Sequence, residues 1–158
     1  MHDAIPDTEL PRLHKHFAIE CNNRAWRISE AMRRSPAEDA EMLDCAHAAA
    51  LHWSKVGSEL NDARAAMLLG HVHALLGRGD SAMRYARSAF DFVTQHPSPP
   101  WEIAFAHAVL ANAAAAARDG ATHSAHYARA KALGAALGSE ERSYFDAMFR
   151  TIPAVAGE

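Results

Sequence analysis

The triplet Tyr85-Ala86-Arg87 returns as Tyr127-Ala128-Arg129, 42 residues later. Each copy lies in a helical stretch that follows a glycine-marked turn and precedes another break. A unit recurring at roughly 20 to 50 residues is the mark of stacked helical repeats, because one hairpin of helices cannot bury its own apolar face and needs a neighbour. Composition supports the helical half of that inference. The 158 residues include 36 alanines but only 14 valines, isoleucines and threonines together. Alanine is the best helix former, and the β-branched residues are the ones strands favour. The expected fold is therefore all-α, with about seven antiparallel helices forming a short α-α superhelix.

Punctuation places the helices. Leu10, Leu13, Phe17, Cys21, Ala25, Ile28 and Met32 step by three or four residues and predict one apolar stripe on helix 1, closed by Arg33 and Arg34. Ser35-Pro36-Ala37-Glu38 reads as a capping box with proline at the first helical position, opening a helix that runs to Val56. Gly57 is expected to be its left-handed stop. Helix 3 is expected over 61–76, ending at Gly77, and helix 4 behind Asp80 as its cap. Three prolines between Gln95 and Pro100 break the chain. Helix 5 is expected over 100–117, helix 6 over 122–137 with Gly138 as its stop, and a short helix 7 capped by Ser139. The tail from Ala154 to Glu158 is expected to fray. One domain over 1–158 is implied, with its best repeat unit at 61–95, a degenerate unit at 100–137, an N-terminal helix pair at 8–57 and a capping helix at 140–150.

Leu69, Gly70, Gly77, Ala82 and Ala89 stand at tetratricopeptide-repeat spacing, and the unit over 61–95 resembles that repeat. The resemblance implies that Gly70 lets the second helix approach, that Gly77 makes the turn, and that the two alanines sit at the tightest contacts. The unit over 100–137 departs from it. Its triplet echo gives an offset of 42, pairing Gly77 with Gly120 gives 43, and Asn112 or Ala113 then stands for Gly70. The order His47, His52-Trp53, Asn61, Arg64 and Ala104-Phe105-Ala106 also looks like a small bacterial group of tetratricopeptide-like proteins, a likeness that implies no reaction.

Charge excludes some partners. Sixteen basic and 19 acidic residues leave a net charge of −3 with no basic block, so no nucleic-acid groove is expected. The acidic excess over 35–60 reads as a solvated face and a helix N-terminus. No apolar run is long enough to span a membrane, and Met1 to Leu10 does not read as a signal peptide. Cys21 and Cys45 form no CxxC pair and read as reduced thiols, which points to the cytoplasm. No GxSxG, Walker A, GxGxxG, HExxH or EF-hand pattern occurs, so no catalytic residue and no cofactor is assigned, and the balance leans away from an enzyme.

Two sets of residues remain as candidate sites. Arg64, Met67, His71 and Ala74 share one stripe of helix 3, on the side that in the resembled repeat lines the concave groove. Arg64, Met67 and His71, together with Asn112, are the groove candidates, and a guanidinium there suits a carboxylate or phosphate. The competing reading of Arg64 is an internal ion pair with Asp44 or Glu102. The second set comes from 11 histidines. His47 and His52 differ by about 140° around a helix, and His71 and His73 by about 200°, so neither pair shares a face. A metal site would have to be assembled across helices, for example from His47, His52, His71 and His107. Trp53 and Trp101 read as helix-packing residues, and Arg78-Gly79-Asp80 as a turn with an N-cap.

The expected function is a non-catalytic module that binds a protein or peptide partner, or a second copy of itself. The alternative is a metal- or small-ligand-binding sensor with a histidine-lined site. A homodimer is expected because Tyr144, Phe145, Met148 and Phe149 make a broad face on helix 7, while helix 6 offers few large apolar groups to cover it.

Overall fold

The computed structural model describes residues 6–157, and among them the chain forms seven helices and no strand. The readings of Met1 to Ile5, including His2, and of Glu158 lie outside those residues. The helices are α1 (Leu10–Ser29), α2 (Pro36–Val56), α3 (Glu59–Leu75), α4 (Gly79–Gln95), α5 (Pro100–Ala116), α6 (Gly120–Ala135) and α7 (Ser139–Phe149). They pack as sequential hairpins, α1 on α2, α3 on α4 and α5 on α6. The first helices also touch in turn, α1 on α3, α3 on α5 and α5 on α7. This is the all-α helical-repeat arrangement that the sequence predicts. Among the described residues no helix is long and apolar enough to cross a membrane.

The helix starts follow from capping. Ser35 accepts from the Glu38 backbone N–H, and the Glu38 carboxylate accepts from the Ser35 N–H at 2.7 Å, completing the box ahead of Pro36. Ser58 and Asn61 do the same for α3, the Ser58 N–H donating to Asn61 Oδ1 at 3.0 Å. Asp119 accepts from the Thr122 N–H at the head of α6.

Several expected boundaries are corrected. Helix α1 stops at Ser29, whose hydroxyl donates back to the Trp26 carbonyl at 2.6 Å, so Met32, Arg33 and Arg34 belong to the turn. Arg34 serves that turn by donating to Asp39 at 2.6 Å and to the Ala31 carbonyl. The buried face of α1 is Ala18, Ala25 and Ser29, while Phe17 of the expected stripe is 46% exposed. Small residues win that face because α1 must approach α2 and α3 together. Gly57 is extended, with φ −88° and ψ −179°, because the chain runs straight on into the cap of α3 instead of reversing. Asp80 lies inside the first turn of α4 and is not its cap. Gly138 is the N-cap of α7, not the stop of α6, and Ser139 is the first helical residue.

The repeat register is also corrected. Gly77 and Arg118 both end their helix with positive φ, 71° and 60°. Their turns carry matching hydrogen bonds, Arg78 N–H to the His73 carbonyl and Asp119 N–H to the Ala114 carbonyl, both 2.9 Å. Helices α3 and α5 end at Leu75 and Ala116, and α4 and α6 begin at Gly79 and Gly120. All of these correspond at 41 residues, not 42 or 43. The Tyr-Ala-Arg echo is therefore out of register by one residue.

Close packing follows small side chains. A Cβ on Gly70 would sit 2.9 Å from the Ala86 backbone nitrogen and 3.1 Å from Val109 Cγ1, so only glycine lets α3, α4 and α5 meet there. Ala82, Ala86 and Ala89 are buried on the facing side of α4. The core is continuous through Trp26, which packs against both the α1–α3 cluster and the larger α3–α7 cluster. Phe145 and Met148 of α7 are fully buried, with Phe145 seated over Gly134 of α6. Phe149 stacks on Phe145 and packs on Tyr127. The expected surplus of apolar surface on α7 is thus mostly absorbed within the chain, because a glycine in α6 opens a slot that its few large residues do not suggest. Only Tyr144 stays outside, at 64% exposure.

Candidate functional site

The first helices α1, α3, α5 and α7 line a concave cleft of about 470 Å³. That volume is within the usual range for ligand pockets. Its walls are aromatic. Trp26 comes from α1, Trp53 from α2, Trp101 and Phe105 from α5, and Tyr144 from α7. The chain has three tryptophans, and all three open into this one space. Phe105 meets both Trp26 and Trp101 edge to face, each at 6.0 Å. A second hollow of about 260 Å³ shares Trp101, Phe105 and Tyr144 and reaches Glu141, so the groove continues between α5 and α7.

The polar residues of the cleft are held in place. Arg64 Nε donates to Glu102 Oε1 at 2.6 Å, linking α3 to α5. Glu102 is 1% exposed, whereas the Arg64 side chain is 43% exposed, so the anchor is interior and the guanidinium faces the opening. The guanidinium also lies over Trp101, 5.4 Å from the ring centroid. Asn61 spends its Oδ1 on Ser58, and Asn22 and Asn23 of α1 also line the cleft, Asn22 Nδ2 donating to Asn23 Oδ1 at 3.3 Å. Arg27 and Glu30 complete the rim.

The sequence-derived candidates separate at this point. Arg64 and Met67 do line the cleft, and of the two partners considered for Arg64 it is Glu102 that holds it. His71 and Asn112 do not line it. His71 is fully buried under Trp26, stacked at 5.5 Å, and Asn112 is 3% exposed. Asn112 Nδ2 donates to His71 Nδ1 at 3.0 Å, which puts the ring proton on Nε2, an atom without a partner among the described residues. Burial, and then the charge of Arg34, push the His71 pKa down to about 3. Three turns into α3 the stripe has passed from the groove into the core. Trp53 and Trp101, expected as packing residues, are half-buried cleft walls. Trp26 carries no sequence motif, and Asn61 and Phe105 entered only through a family likeness that implied no site. The available signal was the rarity of tryptophan in an alanine-rich chain, since tryptophan is seldom fully buried.

The histidines sit in separate places. His52 faces His14, with the two Nδ1 atoms 2.8 Å apart. His47 meets His73 and Tyr85. His107 faces His126, again with Nδ1 atoms at 2.8 Å, and burial and then His126 push its pKa down to about 4. In each Nδ1 pair one ring donates and the other accepts, so both cannot be protonated on Nδ1. His47, His52, His71 and His107 thus occupy four different contacts and do not converge. Among the described residues no group of three or more histidine, cysteine or acidic side chains is arranged to hold a metal ion. Neither a family model, nor a curated protein, nor a solved structure matches this chain.

Proposed function

We propose that the protein is a non-catalytic, tetratricopeptide-like binding module, and that its concave cleft receives an apolar anchor from a partner protein or peptide. The observation that carries this reading is the convergence of all three tryptophans, half-buried, on one concave wall. Large aromatic groups left partly uncovered in a groove offer area for a partner to desolvate, and tryptophan is the residue most enriched where binding energy concentrates. Binding of a peptide along such a groove uses rigid helices as walls and needs no reaction chemistry.

Selection from a displayed random-peptide library on the wild type and on Trp53→Ala/Trp101→Ala tests it. The expected result is enrichment of sequences with one aromatic or aliphatic anchor on the wild type, lost on the variant. Equal selection on both, or none on the wild type, removes the cleft as a peptide site. A second reading, a small ligand in the same cleft, is favoured by the volume near 470 Å³, which suits one compact molecule. Self-association is the third occupant, supported by the exposed Tyr144 at the rim; sedimentation of wild type and Tyr144→Ser decides it. On the same reading the compartment is the reducing cytoplasm, supported by Cys21 and Cys45 as free thiols.

A further inference from the structure

The tryptophans supply area, and the polar groups among them set what head group a ligand can carry. Donors dominate. No indole N–H of the three tryptophans has a hydrogen-bond partner among the described residues. Asn61 keeps only its amide Nδ2 free, because Oδ1 already accepts from the Ser58 N–H and hydroxyl. Arg27 is exposed and makes no ion pair among the described residues.

Arg64 is the ordered member of this set. One edge of its guanidinium is spent on the buried Glu102, and one face lies over Trp101. The terminal Nη groups carry no hydrogen bond among the described residues. A guanidinium held this way has little rotamer freedom left to lose, and its free edge is a planar fork matched to two oxygens.

Resting on the reading of the cleft as a binding site, we infer that it selects a ligand bearing a carboxylate on an aromatic or branched apolar body. The carboxylate meets the Nη edge of Arg64, and the body packs against Trp26, Met67 and Phe105. A cationic head group fits less well. The Trp101 face is already covered by a cation, and an ammonium leaves every indole N–H unpaired. Glu30 is the one carboxylate on the α1 wall. It is the C-cap of that helix, three residues from Arg27.

Three probes with one body and different heads test this: 3-phenylpropionate, 3-phenylpropionamide and 3-phenylpropylamine. Binding is read by tryptophan fluorescence and by calorimetry at neutral pH and low salt. The acid is expected to bind about tenfold tighter than the amide, the margin of one charge-assisted hydrogen bond, and the amine weakest. Arg64→Lys keeps the charge, loses the fork and is expected to narrow the margin. Arg64→Met/Glu102→Met removes the pair together, leaves no charge buried, and is expected to abolish the preference with an unchanged circular dichroism spectrum. Equal binding of acid and amide, tightest binding of the amine, or no binding of the acid in the millimolar range overturns the inference. Equal binding by the neutral probe leaves the cleft standing as a site, so this failure is distinct from failure of peptide selection. A blocked tetrapeptide Gly-Glu-Phe-Gly against its glutamine analogue identifies the source. Discrimination there assigns the carboxylate to a protein partner, discrimination among the small acids alone assigns it to a free organic acid, and absence of both overturns the inference.

Discussion

The unit formed by α3 and α4 and the unit formed by α5 and α6 have the same backbone plan at a spacing of 41 residues and share the buried pairs Ala63/Ala104, Ala65/Ala106, Leu69/Leu110 and Ala89/Ala130, yet most of their other side chains differ. Gly70 corresponds to Ala111, His71 to Asn112, Gly77 to Arg118 and Tyr85 to His126. The first unit makes its close approach with glycine, and the second has room for a methyl. The two residues after those positions, His71 and Asn112, are equivalent in the repeat and are bonded to each other. The geometry of the stack is thus kept by matching left-handed turns and a few small core residues, while the caps and the contact between His71 and Asn112 use different residues in the two units.

The largest effect expected from testing that comparison is at the close approach. Gly70→Val places new atoms against the Ala86 backbone, which cannot rotate away, and is expected to cost about 3 kcal/mol. Ala111→Gly, at the corresponding position, is expected to cost only about 1 kcal/mol, the helix-interior price of glycine. Urea unfolding of both variants measures the pair. Similar losses would mean that α3 and α5 are packed alike, and that the difference between the units is superficial.

Acid should act through His71 more than through any counterpart in the second unit. Its folded pKa of about 3 lies below the ordinary histidine value, so the unfolded chain binds the proton first. Stability is therefore complete above about pH 6.5 and falls as the pH drops toward 3, by about 2 kcal/mol at pH 5. His107, held down to about 4, adds to the same slope. Chemical denaturation at pH 7.5 and 5 should show the loss, and His71→Leu/Asn112→Leu should remove most of it. An unchanged slope in that variant would assign the acid sensitivity to the other histidines that burial holds down, His52, His73, His107 and His126.

Asn112→Ala sharpens the same contact at constant pH. It leaves His71 buried with neither ring nitrogen partnered, at an expected cost of about 1.5 kcal/mol. A double-mutant cycle with His71→Leu should show the two positions coupled. Additive losses would mean that the 3.0 Å bond carries no weight of its own.

Much of the fold was legible because alanine, glycine and proline mark helix interiors and ends directly. The register was not. The Tyr-Ala-Arg echo invites an offset of 42, but Ala86 is buried against Gly70 whereas Ala128 is exposed. A shared triplet says nothing about which face it occupies. The residue that sets the register is Arg118, and nothing in an arginine announces a left-handed turn. At the site, Arg64 and Met67 were legible from their stripe, but the same stripe continues to His71, where the helix is already enclosed by its neighbours. The tryptophan wall was illegible because Trp26, Trp53 and Trp101 come from three different helices and meet only through tertiary packing.

The smallest effect is expected at the turns, and there the two units can be exchanged most directly. Arg118 holds φ 60°, which costs a side-chain-bearing residue about 1–2 kcal/mol, while Gly77 holds φ 71° at no steric cost. Arg118 is exposed, so replacing it sacrifices no packing. Against the relief of strain stands the greater freedom of glycine in the unfolded chain, about 0.4–1 kcal/mol. The first effect outweighs the second, and Arg118→Gly is expected to stabilise by about 0.5 kcal/mol. Gly77→Arg, the reverse exchange, should destabilise by a similar amount for the same reason. Thermal unfolding of the two variants and of the double exchange measures both signs. Opposite shifts of similar size would show that the two turns are interchangeable parts of one repeat. A loss in Arg118→Gly would show that the arginine is kept for the unfolded state it restricts, and that the two turns, alike in backbone, are held by different physics.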